Sequence, residues 1–298
     1  MSNFNWDDLK AFLAMARNGR LTVAARQMRV DHSTLSRRIA ALEHAVGARL
    51  FDRRAVGFVL TAEGERLLAE AEAMETMAIR IGAKLSSMSA GLAGTVRLGT
   101  PEGFGTYFLA PMLRDLTREH PNLVIELVAN PRHFSLLKRE ADLAIAMSRP
   151  VQGRVVAEKL TDYELGVFAA DSYLRSSGPI VSRADLEAQH WIGYVEDLMW
   201  TEELDYLPKI SPSITPHLRI SNVISQMEAI VGGVGIGVLP CFMARTQPNL
   251  VRLQAQEIRL ISSYWMINHS ETRDLARVKL MSQFIREQAR KAGNAFWT

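Results

Sequence analysis

Residues 21–42, LTVAARQMRVDHSTLSRRIAAL, constrain the fold more tightly than any other stretch of the chain. They read as two short helices joined by a turn at Arg29 and Val30. Thr22 is placed to cap the first, because a hydroxyl there can accept from amides left unpaired in the opening turn. Ala24 and Ala25 are small enough to let a second helix approach closely. Asp31 is the matching cap for a helix beginning at His32. On that helix Leu35, Ile39 and Leu42 recur at intervals of four and three, so they share one buried stripe. The other face carries His32, Ser33, Thr34, Ser36, Arg37 and Arg38, side chains that hydrogen-bond base edges or pair with phosphates. Such a helix suits insertion into a DNA groove. An ordinary helical hairpin with a solvated basic face is the competing reading.

The flanking residues and the charge distribution bear on that choice. Asp7 or Asp8 can start an earlier helix whose inward face is Leu9, Phe12, Leu13 and Ala16, ended by Asn18 and Gly19. Beyond Gly47, Leu50–Phe51 and Val59–Leu60 read as two short strands around Arg53, Arg54 and Gly57, a small wing whose arginines can reach phosphates or a narrow minor groove. The chain as a whole has a net charge of only +3. Residues 1–62, however, hold ten Lys or Arg against five Asp or Glu, while the remainder holds 25 against 27. All the excess positive charge therefore lies in the segment with the two-helix pattern, as expected of a phosphate-binding head on a neutral body.

From Thr61, which can act as a cap, a long helix is expected, with Gly64 as an early weak point. Leu67, Ala71, Met74, Ala78, Ile81, Leu85 and Met88 alternate spacings of four and three, the pattern of a coiled-coil seam that a second copy of the chain would cover. Packing of this helix on its own domain is the alternative. Residues 86–94, rich in Ser, Ala and Gly, read as a hinge.

Beyond the hinge, strand candidates VRLG, LVIELVA, DLAIAM, ELGVFAA, WIGYV, HLRIS, GIGVLP and SSYWMIN alternate with helices near 107–118, 134–139, 223–231 and 272–291. This alternation argues for a parallel, doubly wound α/β sheet. Thr100 to Gly105 follow the first strand and precede a helix, so their donors can cradle a small polar molecule. Ser221 and Asn222 repeat the arrangement. Helix caps with no ligand are the plainer reading of each. Glu102 and Glu196 would repel a carboxylate or pair with a cationic group, so the ligand's charge stays open.

Taken together, DDLKAFLAMARNGRLTVAARQM, STLSRRIAALE, VGARLFDRR and LTAEGERLL resemble the winged helix-turn-helix of the LysR-type transcriptional regulators, and the similarity continues more loosely to the C-terminus. The resemblance implies a DNA-binding domain over 1–62, a linker and dimerisation helix with hinge over 63–93, and a two-lobed, periplasmic-binding-protein-like effector domain over 94–298. Lobe I would comprise about 94–163 and 268–298 and lobe II about 164–267, with the chain crossing near Thr161–Leu165 and again near Trp265–His269. A small effector would sit between the lobes against Thr100, Glu102, Ser221 and Asn222, with Asn130, Ser148 and Tyr194 added by similarity. DNA contacts fall to His32, Ser33, Thr34, Ser36, Arg37, Arg38, Arg53 and Arg54, and self-association to Leu67, Met74, Ile81, Leu85 and Met88. The implied partners are a two-fold symmetric operator, the effector and further copies in a homodimer or homotetramer, with RNA polymerase as a candidate. His32, Ser33 and Phe58 depart from the residues common at these places in the family, so operator preference and wing contacts are expected to differ.

Other classes find less support. The start MSNFNWDDLK has no leader pattern, the longest apolar run (229–239) is too short to span a bilayer, and the single cysteine, Cys241, fits a reducing cytoplasm. Residues 232–237, GGVGIG, run from helix to strand, opposite to a dinucleotide loop. The seven histidines show no metal-ligand spacing, and no nucleophile elbow or P-loop occurs. No metal, cofactor or catalytic residue is expected, and Cys241 reads as a buried structural thiol. An exported solute-binding module and an α/β cleft enzyme remain the rival readings.

Overall fold

In the structure, a computed structural model, residues 5–54, 57–86, 92–130, 141–150, 155–269 and 272–297 are described. They form two compact units, Met1–Ser89 and Ala90–Thr298.

The first unit packs three helices, a hairpin and a long helix around one core. Helix α1 (Trp6–Asn18) is capped by Asn5, whose side chain accepts from the Asp7 amide. Asp7 and Asp8 thus occupy the first turn, where the helix dipole favours acids, rather than the cap itself. Helix α2 (Leu21–Met28) begins at Arg20 with no side-chain cap, so Thr22 lies inside the first turn and is not the cap its hydroxyl suggested. The turn follows at Arg29, in the left-handed region at φ 55°, whose amide reaches back to the carbonyls of Ala25 and Arg26. Helix α3 (His32–Val46) starts at Asp31 as expected and stops at Gly47, φ 70°. The α3–β1 connection is held by Glu43, whose carboxylate accepts from the Leu50 amide at 2.7 Å.

Strands β1 (Phe51–Arg54) and β2 (Gly57–Leu60) pair antiparallel, Phe51 opposite Leu60 and Arg54 opposite Gly57. Gly57 is required, since a Cβ there would lie 2.4 Å from the Gly19 carbonyl oxygen. Helix α4 (Ala62–Ser86) begins with Thr61 accepting from the Gly64 amide. Gly64 is no weak point: a Cβ would stand 2.3 Å from the Leu50 carbonyl, so only glycine allows α4 this close to β1. Leu9, Phe12, Leu13, Leu35, Ile39, Leu42, Leu50 and Phe51 are buried together, and Ala71 of α4 joins them. Arg17 of α1 forks onto Glu75 of α4 at 2.5 and 3.2 Å, a bidentate clamp across the same contact.

The second unit is built on one mixed sheet of nine strands among the described residues, ordered β4-β3-β5-β11-β6-β9-β7-β8 with β10 also on β6. Its strands are β3 (Gly94–Gly99), β4 (Leu123–Val128), β5 (Leu143–Ala146), β6 (Val155–Ala170), β7 (Trp191–Tyr194), β8 (Leu218–Ile220), β9 (Ile236–Pro240), β10 (Leu250–Leu253) and β11 (Leu260–His269). The helices are α5 (Ala110–Glu119, entered through a π-helical turn, Phe104–Leu109), α6 (Asp171–Ser177), α7 (Arg183–Glu187), α8 (Leu207–Ile210), α9 (Val223–Val231), α10 (Cys241–Ala244) and α11 (Ala276–Ala292). The expected helix at 134–139 lies outside the described residues.

The sheet departs from the expected all-parallel arrangement. Two parallel sets, β4-β3-β5 and β8-β7-β9, are joined by the long antiparallel strands β6 and β11. Within β6, Leu165–Phe168 pair with β9, so the change from the first set to the second lies before Gly166. On β11 it falls earlier than Trp265–His269, because Trp265–Asn268 pair with β5 and so belong to the first set. The crossing there is Leu260–Tyr264, and the register slips at Tyr264/Trp265. Glu164 sits at this junction, fully buried, and receives Arg252 of β10 and Arg259, each at 2.7 Å.

Candidate nucleic-acid interface and ligand cleft

The two faces of α3 separate as the sequence implied. Leu35 and Leu42 are fully buried and Ile39 nearly so. His32, Ser33, Ser36 and Arg37 are exposed, while Thr34 and Arg38 are half-buried. The helix N-terminus is held by a compact network: the Asp31 carboxylate accepts from the Thr34 amide (2.8 Å), the Thr34 hydroxyl (2.7 Å) and the Ser33 hydroxyl (2.5 Å). These bonds, the Ser33 hydroxyl's first, hold the Asp31 carboxyl far below its ordinary range. Their cost to recognition is specific. The hydroxyl protons of Ser33 and Thr34 are already donated, so toward a base these two can offer only an oxygen acceptor. His32, Ser36 and Arg37 keep exposed donors. Arg38 leans toward Asp7 of α1 at 3.9 Å. In the wing, Arg53 and Arg54 are exposed.

Along α4 the anticipated seam divides. Ala71 is fully buried in the unit's own core, whereas Leu67 packs against that core and stays half-buried. Met74 and Ile81 are 47% and 53% exposed, and Met77, which the heptad reading did not select, is 56% exposed. Leu85 lies within the span of α4, and Met88 lies outside the described residues.

In the second unit a cleft opens at the crossing of β6 and β11. It is lined by Pro101, Glu102 and Gly103 after β3, Met147 after β5, Tyr194 ending β7, Val223 starting α9, and Pro240 ending β9. Carboxyl ends of strands from both parallel sets therefore converge on one place, where ligands of open α/β sheets bind. Glu102 and Tyr194 are among the expected effector contacts that line it. Thr100 is 1% exposed, and its hydroxyl has no hydrogen-bond partner among the described residues. Asn222, beside Val223, caps α9 by accepting from the Ser225 amide at 2.8 Å, and Ser221 next to it is exposed. Asn130 is half-buried and Ser148 exposed, and neither lines the cleft.

What the sequence reading missed is the cleft's aromatic wall. Tyr163 of β6, Tyr264 of β11, and Trp200 and Tyr206 from the stretch before α8 line the same space. Tyr163 and Tyr264 stack at 4.1 Å, and Tyr194 meets Tyr206 edge-on at 6.4 Å. Burial pushes the Tyr163 phenol up to about 12 and raises those of Tyr194, Tyr206 and Tyr264 as well, so all four stay protonated at neutral pH. The space left among them is about 30 Å³, enough for a water or two.

Comparison with known proteins decides what this pairing of units is. Residues 6–65 match the family model described as bacterial regulatory helix-turn-helix protein, lysR family, and residues 89–290 match the LysR substrate binding domain. The chain belongs to the LysR family of transcriptional regulators. It is 25% identical to the HTH-type transcriptional regulator PtxR of Pseudomonas aeruginosa over 259 residues, 85% of this chain and 83% of that one. It is 26% identical to the Mau operon transcriptional activator of Paracoccus denitrificans over 270 residues, 91% of each chain. The solved structure of ArgP from Mycobacterium tuberculosis shares the fold, with a TM-score of 0.68 at 19% identity over 95% of this chain and 96% of that one. The regulator is thus a DNA-binding helix-turn-helix protein carrying an effector-binding domain. Among its described residues no helix is long and apolar enough to cross a membrane, and no group of three or more His, Cys, Asp or Glu could hold a metal ion. Cys241 is buried at the start of α10, and burial raises its thiol above the ordinary value.

Proposed function

We propose that His32, Ser36 and Arg37 read base edges in the major groove of a two-fold symmetric operator, while Arg38, Arg53 and Arg54 hold phosphates. The observation that carries this reading is the split face of α3, donors outward and Leu35, Ile39 and Leu42 inward. Ser33 and Thr34 contribute acceptors and the rigidity of the Asp31 network. Two copies join through Met74, Ile81, Leu85 and Met88, with Met77 added to the seam, as a homodimer or as the pairs of a homotetramer. A small effector enters the cleft beside Glu102 and Tyr194, with Thr100, Ser221 and Asn222 at its margin and Asn130 and Ser148 reached only on rearrangement. Its binding shifts the two halves of the sheet about the β6–β11 crossing, and so the spacing of the DNA heads.

The working divisions are a DNA-binding head over 1–62, a linker helix and hinge over 63–93, and an effector domain over 94–298. The protein acts in the cytoplasm without catalysis or cofactor, and contacts RNA polymerase when bound upstream of a promoter. A gel shift with the DNA upstream of its own reading frame, at two salt concentrations, tests the assignment. Binding that is sequence-selective and weakens steeply with salt is expected. Absence of selective binding at low salt, with and without cell metabolites, would overturn it.

A further inference from the structure

Behind the tyrosine wall of the cleft, the second parallel set of strands holds a chamber of its own, about 220 Å³ in volume. Its floor follows from strand register. Arg219 of β8 is the partner of Gly193 on β7, and Gly237 of β9 is the partner of Ile192, so Val238 falls level with Gly193. Side chains alternate faces along a strand, which sets Arg219, Gly193 and Val238 in one row on one face. Leu204, Leu207, Ile214 and Pro216, from the stretch between β7 and β8, close over that row. A Cβ on Gly193 would stand 3.0 Å from both Leu207 and Pro216, so only glycine leaves the row open at its centre. A glycine inside a strand marks a place where another group comes close to the backbone. Tyr194 and Tyr206 line both the chamber and the cleft and form the partition between them.

The lining is otherwise apolar, with polar groups at two places. Gln226 of α9 is 2% exposed and donates its side-chain amide to the Ile220 carbonyl at 3.2 Å, which leaves its amide oxygen as an acceptor. At the rim Arg219, Glu196 and Asp205 are exposed, and among the described residues none of the three makes an ion pair or a hydrogen bond through its side chain. Opposite charges thus share one rim without closing on each other, above an apolar floor, as in a site where a few polar groups orient a ligand. A hydrocarbon would leave this rim unused. A simple carboxylate would meet Arg219 but also two acids, and a simple amine would meet the acids but also Arg219. A molecule with both charges at one end and an apolar group at the other suits the rim and the floor together. The volume is roughly seven times the ~30 Å³ share of one water, which is room for a small branched side chain.

We infer that this chamber takes a small apolar α-amino acid, its carboxylate on Arg219, its ammonium toward Glu196 and Asp205, and its side chain over Gly193. Neither Arg219 nor Gly193 lines the cleft, so the inference stands apart from the reading of the cleft as the effector site. Because Tyr194 and Tyr206 are walls of both spaces, a ligand in the chamber bears on the cleft through them.

The test uses the full chain and three probes of one shape: L-leucine, L-leucinamide, which lacks the carboxylate, and 4-methylpentanoate, which lacks the ammonium. Calorimetric titration is expected to show saturable binding of L-leucine, with each of the others weaker by about fivefold or more, the loss of one charge pair at a partly solvated rim. Arg219→Gln should weaken L-leucine and 4-methylpentanoate by about fivefold and leave L-leucinamide unchanged. Glu196→Gln with Asp205→Asn should weaken L-leucine and L-leucinamide and spare 4-methylpentanoate. Gly193→Val, which occupies the space between floor and roof, should abolish binding of all three. Arg219 is exposed, so Arg219→Gln keeps the test decisive if Gly193→Val does not fold. Binding of 4-methylpentanoate or of L-leucinamide as tight as that of L-leucine overturns the amino acid. L-leucine binding that is indifferent to Arg219→Gln, or no saturable binding of any probe, overturns the chamber as its site.

Discussion

Removing the Glu164 carboxylate probes the crossing on which the effector domain turns. Glu164 is fully buried, Arg252 is 12% exposed and Arg259 is 55% exposed. Burial by itself raises the Glu164 carboxyl, but hydrogen bonds from Arg259 and Arg252 outweigh it and hold the group below its ordinary value. Glu164→Ala strands the Arg252 charge in a site with little water, and breaking a buried pair in this way costs about 3–5 kcal/mol. Arg259 can turn into solvent, so the lower end applies, about 3 kcal/mol. A unit of this size loses about 2–3 kcal/mol of stability per molar urea. The midpoint should therefore fall by about 1 M. Four of the five tryptophans, Trp191, Trp200, Trp265 and Trp297, belong to this unit and report its unfolding. Replacing both partners, Glu164→Met with Arg252→Met, should restore most of the loss, because a packed apolar pair removes both desolvation terms. The pH dependence has a fixed sign. A carboxyl held below its unfolded value stabilises above that value, and the contribution disappears as pH falls through the lowered one. The gap between wild type and Glu164→Ala should accordingly be full at pH 7 and close in acid. An unchanged midpoint for Glu164→Ala, or a double variant weaker than the single one, would refute the reasoning.

Other expectations are simpler. Gly64→Ala would gain about 1 kcal/mol of helix propensity on an open helix. Here the 2.3 Å approach to the Leu50 carbonyl reverses the sign, and thermal melting should show a net loss in the head of about 1–3 kcal/mol. Ile81→Glu, at a site 53% exposed in the single chain, should leave that melting temperature unchanged but lower the sedimentation coefficient; an unaltered assembly would count against the seam. Arg53→Ala with Arg54→Ala should weaken binding on all duplexes alike and reduce the slope of log affinity against log salt by about 2. A change confined to one operator would show that the wing reads sequence.

Local pattern made the DNA-binding head legible. Leu35, Ile39 and Leu42, the Asp31 cap and the Gly47 stop are all short-range signals, and each does what its chemistry predicts. The exceptions are instructive. Thr22 was the obvious hydroxyl, but α2 starts at Leu21, two residues before a Thr22 cap would begin it, and goes uncapped. Gly64 reads as a defect on a helix and becomes a necessity only against Leu50, a contact sequence cannot show. In the effector domain, the first half of β6 escaped notice because Glu158, Lys159 and Asp162 interrupt its apolar pattern on a stretch that is only partly covered. The cleft suffered most. Reasoning from helix starts finds Thr, Ser and Asn, whereas Tyr163, Tyr206 and Tyr264 come from strands and an irregular stretch far apart in the chain. One signal was available: Tyr163 falls within the anticipated crossing at 161–165, and Tyr264 one residue from the anticipated second crossing.

The central claim is that the outward face of α3 recognises duplex DNA, and one titration addresses it most directly. Fluorescence anisotropy of a labelled operator and of a scrambled duplex is measured with wild type and Arg37→Ala at fixed salt. The account predicts that Arg37→Ala loses about 1–3 kcal/mol on the operator and far less on the scrambled duplex. Equal affinities of the two proteins for the operator would contradict it.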